Sequence, residues 1–76
     1  MVQLNKRLRD LREDHDIQQK ELARILGVDA ARVSEWERGV YEPRLDVLYK
    51  LADIYGVSLD YLCGRTNTAK RYPPSK

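Results

Sequence analysis

The stretch QKELARILGVDAARVSEW, residues 19–36, contains two short helical patterns with a turn between them. Ala23 is small at the point where the second helix must cross the first closely. Gly27 can adopt the positive φ at which the first helix ends, a conformation that a β-carbon would penalise. Asp29 is a favourable N-cap residue for the second helix. Taken together, the spacing of these residues predicts a helix-turn-helix motif.

Apolar residues recur with a helical period on both sides of this stretch, and no alternating strand pattern is found. We expect five short helices: residues 3–15, a second ending at Gly27, a third from Asp29 to Gly39, a fourth over residues 45–55 before Gly56, and a fifth between Ser58 and Gly64. The predicted fold class is therefore all-α, with the helix-turn-helix in helices two and three. We expect residues 1–64 to form a single helix-turn-helix domain. The basic tail, residues 65–76, loses the helical period and is expected to be disordered.

The composition excludes several classes of protein. One Cys and one His among 76 residues can neither close an intrachain disulfide nor supply a structural zinc set, so we expect no metal site and a cytoplasmic protein. No apolar run reaches membrane-spanning length, and the charged residues 1–10 argue against a signal peptide. No nucleophile–base set or paired carboxylate site can be assembled. We therefore expect no enzyme, no cofactor and no small-molecule ligand.

The net charge of +2 is unevenly distributed along the chain. Residues 1–38 are neutral in sum, residues 39–64 carry a net charge of −2, and residues 65–76 carry +4. The excess of positive charge therefore lies in the tail, and the predicted domain is slightly acidic. On net charge alone, the chain would not be identified as a DNA-binding protein.

Further residues extend the pattern in register on both sides of the central motif. They are Leu11-Arg12, Ile17-Gln-Gln19, Glu21-Leu-Ala23, Leu26-Gly-Val28, residues 33–39 (VSEWERG), Pro43, Leu51-Ala52 and residues 56–62 (GVSLDYL). With these residues the chain resembles the Xre/Cro/lambda-repressor helix-turn-helix family of DNA-binding transcriptional regulators, from about Leu4 to Gly64. The resemblance implies a five-helix lambda-repressor-like DNA-binding domain with residues 30–38 in the major groove.

The resemblance also implies which residues contact DNA. Gln19 matches a glutamine that opens helix two and donates a hydrogen bond to a phosphate. The base-reading positions of the family match Ala30, Ala31, Ser34 and Glu35, which are flanked by Arg32 and Arg38. Arg44 matches a position that contacts phosphate, in the same loop as Tyr41. An alanine can offer only a methyl group to a thymine, whereas Glu35 could accept a hydrogen bond from a cytosine. Arg32 could read a guanine or bind the backbone. We favour the backbone, because most protein–DNA hydrogen bonds go to phosphate and sugar.

A buried salt bridge between Arg12 and Glu37 is implied by the resemblance and agrees with the residues themselves. Glu37 follows Trp36 on the inward side of the third helix, and an inward carboxylate needs a partner. Trp36 could stack on a base, but its register with Val33 favours core packing. Asp16 stands where the family commonly has a glycine, and Asp tolerates the left-handed conformation better than most residues.

Two further residues have both a functional and a structural interpretation. His15 could be a pH sensor or metal ligand, but without a second ligand nearby a solvated residue at a helix end is favoured. Cys63 could be a redox switch or could form an intersubunit disulfide. We favour a small buried hydrophobe there, as free cysteine commonly is.

Apolar residues of helices four and five exceed what a small core needs. Tyr49, Ile54, Leu59 and Tyr61 are either ordinary packing or a self-complementary patch, and the family resemblance favours a homodimer interface. A two-fold dimer would place two recognition helices about 34 Å apart on DNA. The predicted function is a homodimeric transcriptional regulator that binds a pseudo-palindromic operator of double-stranded DNA, and we favour a repressor over an activator. The alternative is a protein-interaction module of the antitoxin or coactivator kind.

Overall fold

The computed structural model describes residues 3–68 and contains five α-helices over that range. They are α1 Leu4–Asp14, α2 Gln19–Leu26, α3 Ala30–Glu37, α4 Leu45–Tyr55 and α5 Leu59–Leu62. No strand occurs between residues 3 and 68, so the all-α prediction is confirmed. Helices α2 and α3 form the predicted helix-turn-helix. Of the predicted tail, residues 69–76 lie outside the described part of the chain.

The predicted helix ends are found, with one correction. Gly27 and Gly56 follow α2 and α4 with φ of 73° and 66°, and Asp16 adopts the left-handed conformation with φ of 54°. The Ser58 hydroxyl accepts a hydrogen bond from the Tyr61 N–H and caps α5. Asp29 is the N-cap residue of α3, but its carboxylate accepts no cap hydrogen bond. The first N–H groups of this helix are therefore not capped by a side chain.

A single apolar core receives residues from every helix and from the segment between α4 and α5. Its buried members are Leu8, Leu11, Leu22, Ala23, Val33, Trp36, Leu51, Ala52, Tyr55, Val57 and Leu62. Ala23 is 3% exposed and Val33 is 1% exposed, so the helix-turn-helix is held through its inner face. The outer face of α3 consequently does not pack against the core.

Helix α5 is fixed to α1 by a buried arginine that the sequence analysis did not single out. The Arg7 guanidinium donates to the backbone carbonyl oxygen of Tyr61 at 2.9 Å and lies 3.8 Å from the centroid of its ring. Arg7 is 6% exposed. The signal was present in the sequence, because Arg7 lies on the same face of α1 as Leu4 and Leu11. No helix within residues 3–68 is long and apolar enough to span a membrane.

Candidate nucleic-acid interface

Helix α3 turns one face inward and presents the other to solvent. Val33 and Trp36 are buried in the core, whereas Ala30, Ala31 and Arg32 are exposed. Ser34 and Glu35 are half-buried at the edge of the outer face. The residues predicted to read bases therefore share the outer face, as helical periodicity requires. With two alanines in its first turn, this face is smooth enough for close approach of another surface.

A shallow groove of about 430 Å³ lies beside the first turns of α3. Its lining residues are Gly27, Val28, Asp29, Ala31, Arg32 and Glu35. Arg32 and Glu35 form an ion pair across its edge, with 3.6 Å between Nε and Oε1. The Arg32 side chain is 59% exposed, so its guanidinium can leave this partner for a phosphate at little cost.

The other basic residues predicted at the site are exposed at the end of α3 and the start of α4. The Arg38 Nε–H donates to the Ser34 hydroxyl at 3.3 Å. Arg44 lies 4.0 Å from the Asp46 carboxylate, and its side chain is 89% exposed. Tyr41 is 60% exposed in the connecting loop. None of these contacts is buried, so all three side chains can reorient towards a partner.

Gln19 is the first residue of α2, and its side chain has a partner that the sequence analysis did not predict. The Gln19 Nε2 donates to the Glu37 Oε1 at 3.1 Å. Gln18, the N-cap residue of the same helix, is exposed and makes no side-chain cap hydrogen bond. The N–H groups of the first turn of α2 are therefore not capped by a side chain and are available to an anion.

The predicted salt bridge between Arg12 and Glu37 is found in the structure. Arg12 Nε donates to Glu37 Oε2 at 2.7 Å and its Nη2 donates to Oε1 at 3.1 Å, while Nη1 donates to the Ile17 carbonyl oxygen at 2.7 Å. The two side chains are 13% and 5% exposed. The hydrogen bond to Glu37 raises the pKa of Arg12 above its ordinary value, against the opposing effect of burial. This pair ties α1 to the end of α3.

Tyr55 lies beside this pair, and its hydroxyl is buried without a hydrogen-bond partner among the described residues. Burial, followed by the negative charge of Glu37, raises the pKa of Tyr55 to about 12. The His15 ring lies 4.9 Å from the Tyr55 ring, and its Nδ1 is 2.9 Å from the Leu11 carbonyl oxygen. His15 is exposed at the C-cap of α1, which agrees with the structural interpretation.

The residues predicted for a dimer interface differ in their surroundings. Tyr49 is 55% exposed, and Leu45, one helical turn before it, is 58% exposed. Ile54 and Leu59 are partly buried against the core, as is Tyr61, whose ring is covered by Arg7. Tyr49 is therefore the most accessible of the four predicted residues.

Two other groups bear on the predicted chemistry. Cys63 is half-buried, and burial raises the pKa of its thiol, with the Asp60 carboxylate adding to the effect. The reactive thiolate form is thereby disfavoured. Within residues 3–68, no group of three or more His, Cys, Asp or Glu side chains is arranged to hold a metal ion.

This exposed α3 with its supporting α2 defines a helix-turn-helix domain, and comparison with known proteins identifies the family. A family model described as helix-turn-helix matches residues 8–62. The chain belongs to this Xre/lambda-repressor-like helix-turn-helix family.

Curated relatives carry names of transcriptional regulators rather than enzymes. Over 70 residues the chain is 37% identical to the HTH-type transcriptional regulator ImmR of Bacillus subtilis. This match covers 92% of the chain and 55% of ImmR. The chain is 36% identical over 62 residues to the cryptic phage CTXphi transcriptional repressor RstR of Vibrio cholerae, over 82% of the chain and 56% of RstR. The chain thus spans about half the length of these relatives.

A solved structure with the same fold contains DNA. The P22 c2 repressor in complex with a synthetic operator superposes with a TM-score of 0.74 at 32% identity. The match covers 82% of this chain and 94% of that one. The five-helix lambda-repressor-like fold is therefore confirmed.

Proposed function

We propose that this chain is a sequence-specific double-stranded-DNA-binding transcriptional regulator that acts as a repressor. In this proposal α3 enters the major groove, the start of α2 binds a phosphate, and the arginines at both ends of α3 contact the backbone. The protein works by occupying its operator in the cytoplasm and needs neither catalysis nor a cofactor. Named relatives in the same family include a repressor and other transcriptional regulators.

The observation that carries the proposal is the division of α3 into a buried and an exposed face. Val33 and Trp36 anchor the helix from one side, and the predicted base-reading positions all lie on the other. The uncapped start of α2 and the exposed guanidinium of Arg44 provide places for phosphates on either side of α3. The P22 c2 repressor, which has the same fold, was crystallised with an operator.

The proposed unit on DNA is a homodimer. Tyr49 and its neighbour Leu45 form an exposed apolar strip one helical turn long on α4. A two-fold dimer through this region would present two α3 helices to successive major grooves, about 34 Å apart. The operator is then expected to be pseudo-palindromic, because each half-site is read by an identical protomer.

Selection of binding sites from a random duplex pool tests the proposal. We expect enrichment of a two-fold-symmetric site whose half-sites are separated by about one turn of DNA. Enrichment of an asymmetric site would contradict the dimer, and failure to enrich any site would contradict sequence-specific reading.

Deletion of residues 65–76 separates the domain from its basic tail. The domain, which carries no excess of positive charge, is expected to retain the selected site with a modest loss of affinity, because the tail adds only sequence-independent attraction. If the deletion abolished all binding of duplex DNA, the alternative would be favoured, in which the helix-turn-helix is a protein-interaction module.

A further inference from the structure

We propose that Glu37 is a positioning residue for DNA binding, which holds the Gln19 amide ready for a phosphate. The inference rests on the proposed function and deepens it. Glu37 lies at the end of α3 and is buried, so it cannot itself touch DNA. It acts through its hydrogen bond to Gln19, and Arg12 makes that hydrogen bond possible.

The geometry of the Glu37 carboxylate supports this role. Oε2 accepts from Arg12 Nε, and Oε1 accepts from both Arg12 Nη2 and Gln19 Nε2, the latter two each at 3.1 Å. A glutamine amide has two N–H groups and one carbonyl oxygen. Only one of these N–H groups is used by Glu37, and Gln19 makes no other side-chain hydrogen bond within the described residues. The second N–H of the Gln19 amide is therefore held in place and remains able to donate a hydrogen bond.

Because Arg12 neutralises Glu37, this carboxylate can lie close to the expected phosphate contact of Gln19. An unpaired carboxylate at this point would repel the negatively charged backbone. Arg12 neutralises this carboxylate through two hydrogen bonds, and the remaining Nη1 of Arg12 donates to the Ile17 carbonyl oxygen. The Arg12–Glu37 pair is thus a neutral anchor, which offers Gln19 an acceptor without adding negative charge.

Fixing the side chain in the free protein favours binding. A glutamine side chain that is mobile in the unbound protein loses conformational entropy when it is fixed on DNA, and this loss lowers the affinity. Gln19 is the first residue of α2 and so belongs to the positive end of the helix, where no side chain caps the N–H groups. The anchor therefore joins α1, α2 and α3 at the point where the phosphate is expected.

A double variant removes the anchor without leaving a buried charge. Replacing a buried ion pair by apolar residues of similar size is commonly tolerated, whereas removing one partner is not. The variant Arg12→Met with Glu37→Leu is therefore expected to fold, which Trp36 fluorescence during urea unfolding checks. Binding is measured on a random-sequence duplex of about 20 base pairs at low salt, because phosphate contacts do not depend on sequence.

We expect the double variant to bind about two- to tenfold more weakly per protomer than wild type. Gln19→Ala in the wild-type background should cause a similar loss. Gln19→Ala added to the double variant should cause little further loss, because the anchor and the amide act as one unit. Gln18→Ala, the neighbouring amide without a cap hydrogen bond, is the matched control and should change affinity less than Gln19→Ala.

The outcomes separate this inference from the proposed function. If wild type binds the duplex and Gln19→Ala weakens it, but the folded double variant binds like wild type, the positioning role is overturned while DNA binding stands. If wild type does not bind any duplex, the proposed function fails and this inference fails with it.

A spectroscopic signature tests the anchor without any substitution. In the free wild-type protein, the side-chain NH₂ signals of Gln19 should be dispersed and motionally restricted, unlike those of exposed Gln3 and Gln18. They should remain restricted on addition of the duplex. Free-amide signals for Gln19 in the unbound protein would overturn the inference even if the double variant failed to fold.

Discussion

Glu37 is the buried acidic partner of Arg12, and its burial has energetic consequences. Glu37 is 9% exposed, and its carboxylate accepts hydrogen bonds from Arg12 and Gln19. A buried ion pair is weak evidence for stability as a whole, but the loss of one partner leaves an uncompensated charge. In a small domain, whose total stability is of the order of 5–10 kcal/mol, such a loss is a large fraction.

Arg12→Ala should lower the free energy of unfolding by about 3–5 kcal/mol. The matched control is Lys6→Ala, which breaks the exposed Lys6–Asp10 pair of 3.0 Å and should cost less than about 1 kcal/mol. Urea unfolding followed by the fluorescence of the single Trp measures both. Equal effects of the two substitutions would show that the buried pair contributes no more than a surface pair.

Tyr55 should make stability fall in alkaline solution. Its pKa is raised from 10.0 to about 12 by burial, so between these values the unfolded chain loses the proton and the folded one keeps it. The folded state then binds more protons, and the free energy of unfolding decreases as pH rises from 10 to 12. Below pH 10 this contribution is fully present.

Tyr55→Phe should remove this part of the alkaline loss and should change stability little at neutral pH. The hydroxyl forms no hydrogen bond with the described residues, so its removal leaves no partner unsatisfied. Tyr49→Phe is the control, because that ring is 55% exposed. Urea unfolding from pH 7 to 12 checks the prediction, and an alkaline loss of the same size in both variants would contradict it.

The helices were predictable because single residues determine where several of them begin and end. Gly27, Gly56 and Ser58 end or begin helices as expected, since a left-handed glycine and a serine cap act locally. Asp29 occupies its predicted cap position but forms no cap hydrogen bond. Local rules therefore place the helix boundary, whereas solvent decides whether an exposed side chain makes the bond.

The contacts between helices were only partly predictable. The Arg12–Glu37 pair followed from the family resemblance and from the inward position of Glu37. The hydrogen bond from Gln19 to Glu37 and the packing of Arg7 on Tyr61 join residues 18 and 54 positions apart. No periodicity connects such residues, because their meeting depends on how the four helices α1, α2, α3 and α5 pack together.

Gly27→Ala should destabilise the turn between α2 and α3 by about 1–2 kcal/mol, the cost of a left-handed L-residue. An added β-carbon would meet no atom within 4 Å, so the effect comes from the backbone alone. Asp16→Gly is the converse control at φ of 54°, and it should be neutral or stabilising, because relief of strain offsets the added flexibility. Thermal unfolding of both variants decides. Wild-type stability of Gly27→Ala would refute the strain argument.

The charge of the whole chain is a poor guide to its partner, and the placement of a few arginines is a better one. The domain is slightly acidic, yet Arg32 on α3 and Arg44, the N-cap residue of α4, have side chains that are 59% and 89% exposed. If these residues neutralise phosphates, their contribution must appear in the salt dependence of binding.

Arg32→Gln and Arg44→Gln should each make the dependence of log K on log salt concentration shallower, reducing the magnitude of its negative slope by about 0.9. Arg9→Gln is the control, because Arg9 pairs with Glu13 on α1 and is 62% exposed but lies outside the predicted interface. Titrations of a duplex at several salt concentrations give the slopes. A slope that responds equally to Arg9→Gln would assign the effect to overall charge rather than to position.

The proposed dimer is a property of the whole molecule, and it depends on the few exposed apolar residues of α4. Tyr49→Asp places a charge in the exposed strip of α4 and should shift sedimentation equilibrium towards the monomer, because an unpaired charge in an interface is costly to desolvate. Ile25→Asp, at a residue 53% exposed on α2, is the matched control and should leave the oligomeric state unchanged. The monomer should keep the fold and bind a half-site weakly, losing the affinity gained by joining two half-sites. If Tyr49→Asp sediments like wild type, the dimer must form through another surface, and the symmetry of the selected operator would then have to come from that one.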